Sequence, residues 1–293
     1  MKRAVALGFF DGIHIGHGEL LKRAVFAAEA LSLTPCVLTY SNHPSKVLSG
    51  KSVGLINSPE ERAHLISELY NISDIVIKDF TPEYAAMSPD EFFKNILIAE
   101  LSAGYVVAGY DFRFGKGGSG DSEKLKELCE KHGIGCEIVD EVKYGGEAVS
   151  SSRIRPLIEN GDMEEAEKLL GHPHCTISEI LHGKALGNTI GFPTANQLFP
   201  PDVIIPRHGV YVSRATFDGK TYRAITNVGV RPTVSDELKV SAETHIPGFS
   251  GDLYGKTVKT EFLRFLREEK KFSTLSDLIR QISQDVLDAE CEN

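Results

Sequence analysis

The sequence has no paired-cysteine motif, no long apolar run and no excess of basic residues. Its five cysteines are odd in number and scattered, without C-x-x-C or zinc-ribbon spacing, which disfavours a disulfide framework and favours free thiols. No apolar segment approaches the roughly 20 residues that span a bilayer, and the chain enters a strand-like run without a signal peptide. We therefore expect a cytoplasmic protein without a membrane partner.

Charge and length narrow the classes of function further. Acidic residues outnumber basic ones by 41 to 32, and the formal net charge is -9. A broad basic face for nucleic acid is therefore disfavoured, and any bound polyanion should be small and locally held. The 293 residues allow two domains, with 41% hydrophobic and 25% charged residues as in ordinary globular proteins. The composition carries no signal for the oligomeric state.

Short apolar runs alternate with helical patterns in the first half of the chain. These runs predict five buried strands, at 4–7, 36–40, 75–77, 105–108 and 136–139. Capping boxes begin two helices, at Ser58 and Ser88, and Gly133 is typical of a helix end. Because strands separated by helices form right-handed crossovers, we expect an α/β domain with a parallel sheet.

The pattern changes after Gly171. Alternating stretches at 209–217 and 221–230 flank Asp218-Gly219, a strong hairpin signal. This half is expected to form a small antiparallel β-barrel, followed by an amphipathic C-terminal helix over about 275–289 that docks on the barrel. A charged helical connector, 153–173, joins the halves, so we predict domains at 1–171 and 172–293.

The first strand leads into 8-GFFDGIHIGHGELL-21, where a parallel sheet usually binds phosphate. The motif is not G-x-G-x-x-G, and no acidic residue ends the second strand, which disfavours a dinucleotide dehydrogenase. His14 and His17 are three residues apart and should lie on one side of the first helical turn, where they could bind a phosphate as charge builds on it. Two solvent-facing histidines at a glycine-rich turn remain an alternative, and a zinc pair is disfavoured because further ligands are lacking.

A second cluster, 150-SSSRIR-155, places three hydroxyls before two arginines at a helix start. Hydroxyls, amides and a guanidinium can form an anion clamp, although a serine-rich N-cap is the better explanation of the segment when it is taken alone.

Together these segments resemble the nucleotidylyltransferase superfamily, and 109-GYDFRFGKGGSG-120 resembles the adenylyltransferase domain of bacterial bifunctional riboflavin kinase/FAD synthetases. The resemblance implies a Rossmann-like nucleotidylyltransferase sheet. It also implies that His14, His17 and Arg155 act in catalysis. The residues implied to bind ATP are Gly8, Phe10, Asp11, Gly12, Ser151 and Ser152. Asp111, Phe112 and Phe114 would lie near the flavin, the alternative being an aromatic turn that fills the core.

The second half carries 183-GKALGNTIGFPTAN-196, followed by 227-NVGVRPT-233, 243-ETH-245, 252-DLYG-255 and 267-REEKKF-272. Glycine-rich backbone can approach phosphates closely, and Thr194 and Asn196 should share one face of an extended stretch, where they could hold Mg²⁺ and phosphate. A structural turn explains P-T-A-N equally well in isolation.

In this order the segments resemble the riboflavin kinase domain. The resemblance implies phosphate binding near Gly183, Gly187 and Gly191, metal and phosphate binding by Thr194 and Asn196, and Glu243 as catalytic base. Arg267 and Glu269 are implied to contact flavin, although a solvated salt-bridged face is an alternative. Four residues depart from the family pattern, namely Gly18, Asn42, His172 and Asn188.

The sequence thus predicts a bifunctional transferase. Riboflavin plus ATP would give FMN, and FMN plus ATP would give FAD and pyrophosphate, with Mg²⁺ accompanying ATP. An enzyme with one of these activities and a non-catalytic flavin-binding regulator are the alternatives, and retention of both residue sets argues against the regulator.

Overall fold

The computed structural model describes residues 1–181, 191–232 and 238–290. These residues form two compact units, Met1–Ser151 and Ser152–Asn293. The first unit combines helices with a parallel sheet, and the second is built on antiparallel strands.

The sheet of the first unit has five parallel strands in the order β3-β2-β1-β4-β5. All five predicted strands are confirmed, with bounds extended by one or two residues. The strands are β1 Arg3–Leu7, β2 Thr34–Tyr40, β3 Asp74–Lys78, β4 Ala103–Gly109 and β5 Gly135–Val139. The central strand β1 is buried almost throughout, which explains why its sequence is an unbroken apolar run.

Helices connect these strands. They are α1 Ile15–Leu31, α2 Pro44–Leu48, α3 Pro59–Tyr70, α4 Pro82–Ala86, α5 Pro89–Glu91 and α6 Ser122–Lys131. The predicted capping boxes are confirmed, because Ser58 and Ser88 each exchange hydrogen bonds with a glutamate three residues later. After α5 the chain continues as a π-helix, Phe92–Glu100, which the sequence did not predict. A short hairpin of β6 Lys143–Tyr144 and β7 Glu147–Ala148 follows β5.

The second unit contains a six-stranded antiparallel sheet in the order β8-β13-β10-β11-β12-β9. Its strands are β8 His174–Glu179, β9 Thr194–Leu198, β10 Gly209–Phe217, β11 Lys220–Pro232, β12 Leu238–His245 and β13 Thr257–Arg267. The predicted hairpin is confirmed: Asp218 and Gly219 have φ of 49° and 70° between paired β10 and β11, as a tight turn of the primed type requires.

The two edge strands of this sheet meet and close it into a barrel. The backbone N–H of Leu181 donates to Asn196 O at 2.9 Å. The buried amide of Gln197 donates to Ser178 O at 3.2 Å and to Val258 O at 2.8 Å. These bonds join β9 to the opposite edge strand β8, to the residues that follow it and to its neighbour β13, so the expected antiparallel barrel is confirmed.

The C-terminal helix, α9 Leu275–Glu290, docks on the barrel as predicted. Ala289 and Val286 pack against Val210, Val212 and Ile225 of the barrel strands. Because these contacts bury the apolar side of α9, its polar side faces solvent.

The connector forms two helices, α7 Ser151–Asn160 and α8 Met163–Leu170. Helix α8 packs on β8 and β13, so the compact units divide between Ser151 and Ser152. The sequence placed the functional boundary later, between Gly171 and His172, and that assignment stays a prediction.

A buried histidine should make the second unit sensitive to acid. His174 is 2% exposed, stacks on Phe262, and has no hydrogen-bond partner on either ring nitrogen. Burial, followed by the nearby His172, lowers its pKa from 6.5 to about 3. The unfolded chain therefore binds a proton below the usual pKa while the folded chain does not, and stability falls as pH drops from 6.5 toward 3.

We expect His174→Phe to remove this loss. Urea unfolding at about pH 7 and about pH 5 should show a pH-dependent loss smaller by about 2 kcal/mol in the variant than in the unchanged protein. His64, which is 52% exposed on α3, provides the control as His64→Phe, which should keep the original dependence. An unaltered dependence in His174→Phe would contradict this explanation.

Candidate functional site

The chain bends sharply after β1, and the turn carries the first predicted motif. Phe10, Gly12 and Ile13 have left-handed φ angles of 55°, 79° and 45°. A β-branched residue such as Ile13 is strained in this region, and such strain concentrates at functional sites. A Cβ on Gly8 would lie 2.9 Å from the Phe10 ring, so Gly8 allows that ring to pack beneath the turn.

The two histidines of the motif stack on each other at the start of α1. Their ring centroids are 3.6 Å apart with planes inclined by 15°, which confirms the prediction that both lie on one side of the first turn. His14 is the N-cap, and its Nδ1 accepts the backbone N–H of His17 at 3.2 Å. This bond assigns the proton of neutral His14 to Nε2, where it can be donated to a ligand.

Both imidazoles are held in the neutral form. Burial lowers the pKa of His14 to about 4. Burial, the His14 ring and the charge of Arg62 hold the pKa of His17 well below its usual range. At physiological pH the pair therefore offers hydrogen bonds without carrying net charge.

Asp11 and Phe10 have structural contacts in this turn. Asp11 is 1% exposed, and its Oδ1 accepts the backbone N–H groups of Ile56 and Asn57 at 2.8 and 3.3 Å. Phe10 is fully buried, with its ring against the edge of His17.

The serine-rich segment reaches the same turn through Ser151, whose hydroxyl donates to Asp11 O at 2.9 Å. Ser152 and Arg155 lie in the first turns of α7 and belong to the second unit. Their proposed contacts with ATP stay predictions.

The D-F-R-F-G loop lies between β4 and α6. Phe114 is 6% exposed in the main core and stacks on Phe112 with centroids 5.7 Å apart. For Phe114 the geometry matches the alternative of an aromatic turn that fills the core. Asp111 is exposed and Phe112 half-buried, so these two remain the residues of the loop that a flavin could contact.

In the second unit, four predicted residues line one pocket of about 380 Å³. They are Thr194, Glu243, Arg267 and Glu269. Strand register explains how separate segments meet: Asn196, Glu243 and Asn227 lie opposite one another on β9, β12 and β11. Val210 on β10 continues this row to Arg267 on β13. Paired residues share a sheet face, which brings the motifs together.

Asn196 lies beside this pocket and is not part of its lining. Its side chain is 7% exposed, and its amide donates to Thr194 O at 3.2 Å. The neighbouring Thr194 lines the pocket directly. The sequence predicts that both side chains share one face of the strand. In the structure Thr194 lines the pocket, whereas Asn196 is buried beside it and supports Thr194.

A second pocket, of about 430 Å³, adjoins the first at Thr194. Its walls come from the start of β9 and from the 252-DLYG-255 segment, including Asp252, Leu253 and Tyr254. Thr194 thus borders two cavities, an arrangement that suits transfer of a group from a ligand in one to a ligand in the other.

Two residues of the first pocket were not singled out from the sequence. Asp285 on α9 is 2% exposed and holds the Arg267 guanidinium at 2.9 and 2.6 Å. In the sequence, Asp285 is an acidic residue at helical spacing from the apolar Leu278 and Ile282, which places it on the apolar side of the helix. That position could have indicated a buried ion pair. The side-chain amide of Asn227 donates to Glu269 Oε1 at 3.0 Å. This contact joins residues 42 positions apart, so no short segment of the sequence indicates it.

Gly229 makes room for this Glu269 contact, and its replacement should affect this pocket alone. A Cβ on Gly229 would lie 2.2 Å from Glu269 Oε1, so Gly229→Ala should push the glutamate away from Asn227. We expect the KM for the acceptor of this pocket to rise about tenfold, as the loss of one charged hydrogen bond implies. Steady-state kinetics measure this effect, with the exposed Glu268 as control in Glu268→Gln. An unchanged KM in Gly229→Ala would show that Glu269 does not shape the pocket.

Some sequence assignments fall elsewhere. Gly183, Gly187 and Asn188 lie outside the described residues. Gly191 is exposed at a third open groove. Of the departures from the family pattern, Gly18 leaves space for Tyr70, whose hydroxyl would lie 2.3 Å from an added Cβ, and buried His172 bonds through Nδ1 to Pro173 O at 2.9 Å.

Two other kinds of feature are absent from the part of the chain that the structure describes. None of the described helices combines the length and apolar character needed to cross a membrane. Within 1–181, 191–232 and 238–290, no cluster of three or more histidine, cysteine or acidic side chains is arranged to hold a metal ion.

Known proteins match both halves of the chain. A family model for FAD synthetase matches residues 1–153, and one for riboflavin kinase matches residues 170–291. A Listeria monocytogenes protein named bifunctional riboflavin kinase/FMN adenylyltransferase is 35% identical over 290 residues, covering 98% of this chain and 91% of the relative. An Escherichia coli protein of the same name is 30% identical over 287 residues, covering 97% and 91%.

A solved structure also covers the chain. It is a Streptococcus pneumoniae protein titled macrolide-efflux protein, with a TM-score of 0.84 and 32% identity, covering 100% of this chain and 95% of that one.

Proposed function

The chain belongs to the bifunctional riboflavin kinase/FMN adenylyltransferase family, and from this premise we propose that its two reactions use two separate sites. The enzyme phosphorylates riboflavin to FMN with ATP, and it adenylylates FMN to FAD with release of pyrophosphate. The observation that carries the site assignment is the separation of the motif sets, with the stacked histidines in one compact unit and the Thr194 and Glu243 pocket in the other.

Adenylyl transfer is proposed to occur at the turn after β1. An oxygen of the FMN phosphate attacks the α-phosphorus of ATP, the bond to the β-phosphate oxygen breaks, and pyrophosphate leaves. No enzyme nucleophile is needed, so catalysis consists of positioning and stabilisation of charge. His14 donates from Nε2, and His17 offers its Nε2, since its Nδ1 is buried.

Further residues are assigned to adenylyl transfer. We assign Gly8, Phe10, Asp11 and Gly12 to the shape of the phosphate-binding turn, and Ser151 to its support through Asp11 O. Ser152 and Arg155 are proposed to bind ATP phosphates, Arg155 with a catalytic role, and Asp111 and Phe112 are proposed to contact the flavin, while Phe114 supports their loop from the core. These roles rest on the family resemblance.

Phosphoryl transfer is proposed to occur at Thr194. Glu243 lines the first pocket, so the ribityl hydroxyl of riboflavin would sit there and give its proton to the carboxylate as it attacks the γ-phosphorus. ATP would then occupy the second pocket, which shares Thr194. Arg267, fixed by Asp285, and Glu269, held by Asn227, would frame the flavin.

The residues around Thr194 fit a magnesium ion bound with ATP. Mg²⁺ prefers oxygen ligands and is usually held by few protein groups together with substrate phosphates and water. The hydroxyl of Thr194, which lines both pockets, is such a group, and the family resemblance assigns the amide oxygen of Asn196 as a second one, so a full cage of carboxylates is not required. When bound, the ion would offset charge on the phosphates, while Gly183, Gly187 and Gly191 are proposed to approach them through backbone.

The cellular compartment, the binding partners and the domain that carries each reaction are also proposals. The described cysteines are all free thiols, which supports a reducing compartment such as the cytoplasm. Partners are proposed to be riboflavin, FMN and ATP, since the acidic balance of the chain disfavours nucleic acid. We assign adenylyl transfer to residues 1–171 and riboflavin phosphorylation to residues 172–293.

Product analysis tests this proposal. The protein is incubated with riboflavin, ATP and Mg²⁺, and the flavins are separated by chromatography. FAD should accumulate after FMN. A halt at FMN would favour an enzyme with one activity, and unchanged riboflavin would favour a flavin-binding regulator.

A further inference from the structure

A buried arginine lies directly behind the histidine turn. Arg62, in the first half of α3, is fully buried. Its Nη1 donates to Phe9 O and, at 3.1 Å, to Thr39 Oγ1, while Nη2 donates to Tyr40 O at 3.1 Å. The side chain therefore ties together the segments that leave β1 and β2, at the edge of the sheet where the turn begins.

The charge of Arg62 acts on the same turn. Its Cζ lies 4.4 Å from the centroid of the Phe9 ring, a cation–π contact. Burial lowers the pKa of the guanidinium to about 10, against the opposing effect of Asp11, so it remains a cation at physiological pH. Because the group is shielded from solvent, its field is screened less than that of a surface arginine.

Unsatisfied polar atoms gather around this arginine. Of five buried side-chain atoms without a hydrogen-bond partner among the described residues, three belong to this region: Arg62 Nε, Asn57 Oδ1 and His17 Nδ1. Asn57 is tied to the turn because its backbone N–H donates to Asp11. Such groups cost stability, and a native fold that keeps several together usually has a functional reason.

We propose that Arg62 is a positioning residue for adenylyl transfer, which fixes the turn carrying His14 and His17 and places a buried positive charge behind it. The inference rests on the proposed role of the histidines. Arg62 acts through Phe9, whose carbonyl it holds, and through the electrostatic field at His17. A fixed cation that needs no reorganisation favours the transition state, in which negative charge shifts among phosphate oxygens, more than it favours bound ATP.

The test compares Arg62→Met with Arg62→Lys in the full-length chain. Arg62→Met should lower kcat for FAD formation from FMN by at least about tenfold, with the KM for ATP changed by no more than about threefold. Arg62→Lys keeps the positive charge but lacks the planar guanidinium that bonds Phe9 O and Tyr40 O at once. It should therefore recover only part of the lost kcat. Riboflavin phosphorylation by the same samples should be unchanged, which reports on the folding of the second unit.

Arg3→Met is the matched control. Arg3 bridges to Asp74 at 2.6 Å and to Leu101 O at 3.2 Å, at the opposite end of the strands. Its replacement should lower the thermal midpoint and leave kcat for FAD formation within about twofold. If Arg62→Met keeps kcat within about twofold of the unchanged protein, or if its loss only parallels a loss of stability shared by Arg3→Met, the proposal is overturned.

A further variant covers the case in which Arg62→Met does not fold. Thr39→Val removes a hydroxyl that bonds both Phe9 O and Arg62, and it should lower kcat by a few fold. Unchanged kcat in both Thr39→Val and Arg62→Lys would overturn the proposal. Failure of the histidine assignment is distinguishable, since it would appear as normal FAD formation by a His17 variant.

Discussion

Glu243→Gln should reduce riboflavin phosphorylation by about 10²- to 10⁴-fold, the usual contribution of a general base. Glutamine has nearly the same size and can keep the strand register with Asn196 and Asn227, but its amide cannot take the proton of the attacking hydroxyl. The KM for riboflavin should change little, because the lost interaction forms in the transition state. Initial rates of FMN formation, with flavins separated by chromatography, measure the effect.

The adenylyl transfer activity of the same variant serves as an internal control. FMN supplied directly should be converted to FAD at the original rate, because the stacked histidines belong to the other compact unit. Glu268→Gln, which changes a neighbouring exposed carboxylate, should leave both reactions intact. Loss of both activities in folded Glu243→Gln protein would contradict the model of independent sites.

His17→Ala should produce the reverse pattern, with FAD formation lowered by about 10²- to 10³-fold and FMN formation retained. The substitution removes the stacking partner of His14 and the imidazole donor of the proposed phosphate site. It also removes a buried nitrogen without a hydrogen-bond partner. Rates of FMN-dependent pyrophosphate release are the measurement.

The exposed His64 on α3 offers a matched control for this variant. His64→Ala should leave pyrophosphate release unchanged, since that ring lies on the protein surface. A normal rate of FAD formation by His17→Ala would show that the histidine pair serves the fold alone.

Features with a local cause could be predicted from the sequence. The capping boxes at Ser58 and Ser88 and the Asp218-Gly219 hairpin depend on neighbouring residues, and all appear where expected. The π-helix after α5 did not follow, because its wider turns still leave the apolar pattern nearly helical. The π-helix is identified by a backbone hydrogen bond in which the N–H of Leu101 donates to Ile96 O, five residues earlier, at 2.9 Å.

The sequence predicts which residues form the candidate sites better than it predicts their protonation and their charged partners. Spacing placed His14 and His17 together, but both are neutral mainly because the fold buries them, and the charge of Arg62 adds to this effect at His17. Arg267 was named for flavin, whereas its bidentate partner Asp285 lies on a helix 18 residues away. Contacts of this kind arise from the assembled fold and have no signature in a short segment.

The position of Thr194 between two cavities has a kinetic consequence. In the proposed assignment, the phosphoryl group would pass directly from ATP in one cavity to riboflavin in the adjoining one. Both substrates must therefore be bound before transfer begins. Such geometry belongs to ternary-complex mechanisms, in which no phosphorylated form of the protein accumulates and neither product departs before the second substrate arrives.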